Sequence, residues 1–173
     1  MRALTGTGPM RPAYRVRQFS NHLRAQVAPA ERAAAHALLP ATATSLFDAM
    51  PIADQRHALD VVRRLHQAGV DDADLLAAAL LHDAAKGARL RLWHRVVVVL
   101  LEAGAPRRLE RLASTDPDSW RYPFHLHLHH AERSARAALD AGCGPRVAAF
   151  IQGTPDRSDA QLEAALRAAD AAS

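Results

Sequence analysis

Lysine is almost missing from this chain: of 22 lysine and arginine residues, only Lys86 is a lysine. Cysteine is as scarce, and the single Cys143 excludes an internal disulfide and fits a reducing compartment. Aromatic residues make up 5% of the chain and long β-branched runs are few, which disfavours sandwiches and barrels. No apolar stretch approaches the ~20 residues of a membrane-spanning helix. The longest strongly apolar run is VVVVLL, Val96 to Leu101. The opening MRALTGTGPMRPAY has no apolar core of a signal peptide. A cytoplasmic protein is the expectation.

The formal charge of +4 and pI near 10.2 come from arginines interleaved with Asp and Glu, not from a basic block. That pattern argues against nucleic acid as a partner. The hydrophobic share of 49% rests largely on alanine and leucine and favours helices. A chain of 173 residues is long enough for one domain with a real core. Met1 to Ala13 reads as a disordered tail and 14–173 as a single helical domain.

Pro, Gly and Asp divide that domain into about seven to nine helical segments, an all-α bundle. Expected helices are Arg15–Val27, Pro29–Leu38, Thr42–Ala49, Ile52–Ala68, Asp72–Lys86, Leu90–Ala103 and Pro106–Ala113. STDPDSW reads as a loop. A helix follows that has begun by His130 and ends at Gly142, then a short one over Arg146–Gln152 and a last one from Ser158 to Ala172.

LLHDAAKG, Leu80 to Gly87, sets His82, Asp83 and Lys86 at the end of an apolar helix. Ionisable groups buried there are costly unless paired or bound to a metal. His57 is the natural third ligand, because a short turn through Gly69 packs its helix antiparallel to the one ending in His82. A fourth ligand must come from far along the chain. Asp170 on the last helix is the candidate, with Asp156 and Asp159 as alternatives.

The ordered set His57, His82–Asp83, Asp170 resembles the HD-domain superfamily of metal-dependent phosphohydrolases. LLHDAAKG is similar to that family's LLHDIGK helix end, RHALDVVRRL to its first ligand helix, and HHAERSARAALDAG to its HPEIGA helix, which aligns His130 with the family's next histidine. The likeness runs from Ile52 to Ala172. It implies an all-α fold, one divalent ion (Mn, Fe, Co, Ni, Zn or Mg) on His57, His82, Asp83 and Asp170, and hydrolysis of a phosphomonoester or phosphodiester, usually nucleotide-like. The chemistry agrees: two imidazoles and two carboxylates leave open positions on an octahedral ion for water and a phosphoryl oxygen. Asp83 is then also placed to orient the attacking water, and Lys86, one turn beyond His82, to hold a phosphate.

The pattern also departs from the family. Gly153 and Thr154 stand where many members carry a histidine pair serving a second metal or the substrate, and the GYP signature of the cyclic-dinucleotide branch is absent. His129 and His130, within HLHLHH, are the candidates for a second metal or for substrate. On a helix His125 and His129 share a face; in an extended segment His125, His127 and His129 align. His22, His36, His66 and His94 read as surface or helix-flank residues. Two other classes remain open: a sensor or scaffold that keeps the fold without turnover, and a peripheral membrane protein using Leu90 to Leu101 with Arg89, Arg91 and Arg95.

Overall fold

A computed structural model describes residues 26–86 and 92–173. Among them are ten α-helices, one 3-10 turn and no strand. They are α1 (Pro29–Ala37), α2 (Thr44–Asp48), α3 (Ile52–Gln67), α4 (Ala73–Leu81), α5 (Leu92–Gly104), α6 (Pro106–Leu112), α7 (Tyr122–Leu128), α8 (His130–Asp140), α9 (Pro145–Gln152) and α10 (Ala160–Ala172), the 3-10 turn being Arg157–Asp159. The expected tail and most of the expected helix Arg15–Val27 lie outside the described residues; Gln26 and Val27 are not helical.

Helix α4 is the axis of the fold. Every residue from Leu75 to Leu81 is buried, as a helix apolar on all sides requires. Its first turn is capped by Asp72, whose Oδ1 accepts the Leu75 N–H at 3.0 Å. Helices α2, α3, α8, α9 and α10 all pack against it. Ala77, Ala78 and Ala79 present no bulk, so neighbouring backbones approach closely, while Leu75, Leu80 and Leu81 fill the gaps. Burial of each such leucine stabilises the fold by about 2 kcal/mol. Arg146 on α9 ties this end together, donating to Asp72, Asp74 and Asp159.

The α3–α4 connection turns on Gly69. Its φ of +75° suits glycine alone among common residues, and the Val70 N–H reaches back to the Leu65 carbonyl at 2.9 Å to close α3. The two helices then run antiparallel, with His57 on one and the end of the other brought level.

The expected helix Asp72–Lys86 is shorter than predicted. It stops at Leu81, and His82 to Lys86 form tight turns in which Ala84 and Lys86 donate to the carbonyls three residues back. The reason is tertiary: the Ala85 N–H is taken by Ser134 Oγ on α8 at 3.0 Å and so is lost to a helical ladder.

A second, smaller core joins Val98, Leu109 and Phe124 from α5, α6 and α7. Arg121 braces it by donating to the carbonyls of Arg111 and Leu112 at the open end of α6. STDPDSW is a loop, as expected. The next segment is already helical at Tyr122, and a break at His129 separates α7 from α8. His94 is buried against Trp93 and Phe124, not on a flank. Among the described residues no helix is long and apolar enough to cross a membrane.

Candidate metal centre

His57, His82 and Asp83 meet where α3 and the end of α4 run side by side, and one donor atom from each lies within 4.8 Å of the others. This group is able to hold a metal ion. Ligand atoms about 2.1 Å from a shared ion lie within about 4.2 Å of one another, so small displacements close the site.

The imidazoles are oriented through their far nitrogens. His82 Nδ1 lies 2.9 Å from the Ala79 carbonyl, leaving Nε2 to face Asp83 Oδ1 at 3.5 Å. His130, first residue of α8, repeats the arrangement, with Nδ1 on the His127 carbonyl and Nε2 at 3.6 Å from the same Asp83 oxygen. A backbone acceptor on Nδ1 fixes the tautomer whose Nε2 carries a ligand lone pair. The His57 and His82 rings sit edge to face, 5.4 Å apart.

Asp170 arrives from the opposite end of the chain. Its Oδ1 is 2.8 Å from His57 Nε2 and 3.6 Å from His82 Nε2. It is three residues from Ser173, yet its helix is anchored: Leu166 and Ala169 are buried, and Ser173 Oγ accepts from Arg64 Nε while donating to the Ala169 carbonyl. The alternative late carboxylates are elsewhere, Asp159 bound by Arg146 and Asp156 exposed ahead of the 3-10 turn.

Asp83 is 4% exposed, and its Oδ1 is buried without a hydrogen-bond partner although two imidazole nitrogens face it. The carboxylate is balanced by neighbouring charge, but this oxygen takes no hydrogen bond and keeps lone pairs for a ligand. A cation between His57, His82 and Asp83 would take up those lone pairs, and the donor set suits an imidazole-tolerant divalent ion. The other oxygen, Oδ2, accepts from Lys86 Nζ at 2.7 Å. Lys86 is thus engaged with Asp83, and an ammonium holding one carboxylate keeps two further protons for another acceptor.

The charges are strongly coupled. Burial would drive a proton off His82, but Asp83 and Asp170 outweigh it and raise the imidazole to about 9. Burial likewise opposes ionisation of both carboxyls; His82 and Lys86 hold Asp83, and His57 and His82 hold Asp170, well below the usual carboxylate range. Burial and Lys86 push His130 the other way, toward the neutral form.

His129 does not join this centre. It is exposed and lies against His125, so the HLHLHH cluster splits, with His130 turned inward and His129 outward. Residues 87–91, with Arg89 and Arg91, fall outside the described residues, as does the Arg95 side chain. Sequence reasoning overlooked Ser134, which is fully buried and holds the turn carrying Asp83. Its signal was its place one turn beyond His130, on the same face of α8. The apolar groove of about 470 Å³ beside Leu59, Val62 and His66 occupies a different face of α3 from His57.

No family model, curated protein or solved structure matches the chain.

Proposed function

We propose that this protein is an HD-type phosphohydrolase that holds one divalent ion on His57, His82, Asp83 and Asp170 and cleaves a phosphomonoester or phosphodiester of nucleotide-like character. The single observation that carries the reading is the orphaned Asp83 Oδ1, buried between imidazoles with a lysine on its other oxygen. When bound, the ion supplies Lewis acidity and a water acidic enough to act as nucleophile near neutral pH. The residues do the rest. Asp83 orients that water, Lys86 turns its remaining protons to a phosphoryl oxygen, and His130, held neutral by burial and Lys86, takes or returns a proton at Nε2. The lone buried cysteine supports a reducing, cytoplasmic setting, and nucleic acid has no part in this reading.

The test is metal content by elemental mass spectrometry on the purified chain and on His82→Ala, followed by a screen of nucleotide phosphoesters. One equivalent present in the first and lost in the second is the expected result. Equal, negligible metal in both after reconstitution overturns the centre.

One observation favours a second reading, a binding protein without turnover. Gly153, at φ +71°, ends α9 as the Thr154 N–H reaches the Ala149 carbonyl at 2.9 Å. A helix terminator thus stands where the resembled family carries its second histidine pair. Nucleotide binding with full metal occupancy and no hydrolysis distinguishes this reading from the first.

A further inference from the structure

His125 and His129 form a second chemistry-bearing cluster, outside the centre. His125 lies in the last turn of α7 and His129 one turn on, at the break before α8. The His129 N–H donates to the His125 carbonyl at 3.1 Å, so the backbone between them still makes a helical turn. That turn puts both rings on one side, 4.4 Å apart between centroids. Tyr122 stacks on His125 at 5.8 Å and limits its rotation, while His129 is open to solvent.

We propose that His125 and His129 chelate a second metal ion, of the imidazole-seeking Ni²⁺, Cu²⁺ or Zn²⁺ class, and that this ion clamps the α7–α8 junction. Two nitrogen donors select such ions over Mg²⁺ or Ca²⁺, which require oxygen ligands. The clamp has a consequence next door, because the residue after His129 is His130, whose Nε2 faces Asp83. Fixing His129 therefore fixes the start of the helix that carries His130 and Ser134. The Arg133 charge reaches His125 and opposes a cation there. The site and its ligands are independent of the phosphohydrolase reading.

Equilibrium dialysis of the tag-free, metal-stripped full chain against Ni²⁺, counted by elemental mass spectrometry, tests the proposal. His125→Gln and His129→Gln each lose one equivalent per chain. His127→Gln, on another face of the turn, keeps it, and Arg133→Ala tightens it about threefold by removing the repulsion. His82→Ala loses a different equivalent and leaves this one, so the failure of either site is seen separately. Unchanged Ni²⁺ stoichiometry in both His125→Gln and His129→Gln overturns the proposal, and so does an equal loss in His127→Gln.

Discussion

The two cores of this protein are built on opposite principles. Around α4, seven consecutive residues are buried and five helices close over them. In the unit of α5 to α7, Val98, Leu109 and Phe124 form the buried cluster among the described residues, while Trp93, Val96, Leu100 and Trp120 remain exposed beside it. The candidate metal centre follows the division: His57, His82, Asp83 and Asp170 sit against the thick core. Charges held in fixed positions need closely packed neighbours, and the first core supplies them to this group.

Core truncation breaks this comparison most severely. Leu80→Ala is expected to destabilise the whole chain by about 2–5 kcal/mol in chemical denaturation, through lost transfer energy and a cavity with no room to collapse. Phe124→Ala removes a larger side chain, yet its effect is expected to stay local: faster hydrogen exchange in α5 to α7 with metal still bound at His57, His82 and Asp83. Metal loss in Phe124→Ala, with Leu80→Ala tolerated, would reverse the roles assigned to the two cores.

Next in size come the charged residues of the centre. Asp83→Ala should abolish metal binding, because it removes a ligand and leaves Lys86 and two imidazoles without their shared carboxylate. Lys86→Ala should keep the metal and weaken binding of inorganic phosphate about tenfold, the share of one charge-assisted contact. Titration calorimetry with metal and then phosphate separates the two. Retained occupancy in Asp83→Ala removes this carboxylate from the site, and unchanged phosphate affinity in Lys86→Ala does the same for the ammonium.

pH sharpens the contrast because His82, Asp83 and Asp170, whose charges are strongly coupled, all lie against the thick core. In the metal-free chain His82 is raised from 6.5 to about 9, so its contribution is full below 6.5 and lost as pH climbs through 9. Asp83 and Asp170 are depressed, so theirs is present above the ordinary carboxylate value and lost as pH falls below it. The melting temperature of the metal-free chain should therefore drop between pH 6.5 and 9. Metal affinity should rise over the same interval, since the ion displaces the His82 proton. A His82→Gln variant with the same alkaline fall would show that another group causes it.

Much of this centre is legible in the sequence. Gly69 and the pattern of Leu59, Val62 and Leu65 require α3 and α4 to lie antiparallel, and that alone brings His57 to His82. Asp170 was legible through chain order, in the resemblance to a known ligand series. What could not be read depends on contacts distant in sequence. The helix period continues through Lys86, but the backbone leaves it at Leu81 because a serine on another helix captures one amide. The burial of His94 likewise arises from packing in the small core, where few residues leave a weak pattern.

That captured amide yields the smallest effect and the finest test. Ser134 Oγ accepts the Ala85 N–H at 3.0 Å, and Ser134 itself is fully buried. Ser134→Ala leaves the amide without its acceptor, and the expected loss is about 1 kcal/mol. The freed N–H then competes for the Leu81 carbonyl and lets the helix lengthen, which rotates Asp83 away from His130 Nε2. Metal affinity should accordingly fall several-fold more than the small loss of stability explains, while Ser134→Thr, which keeps the hydroxyl, restores it. Equal metal affinity in wild type and Ser134→Ala would mean that the turn after Leu81 is held by its own short hydrogen bonds and owes nothing to α8.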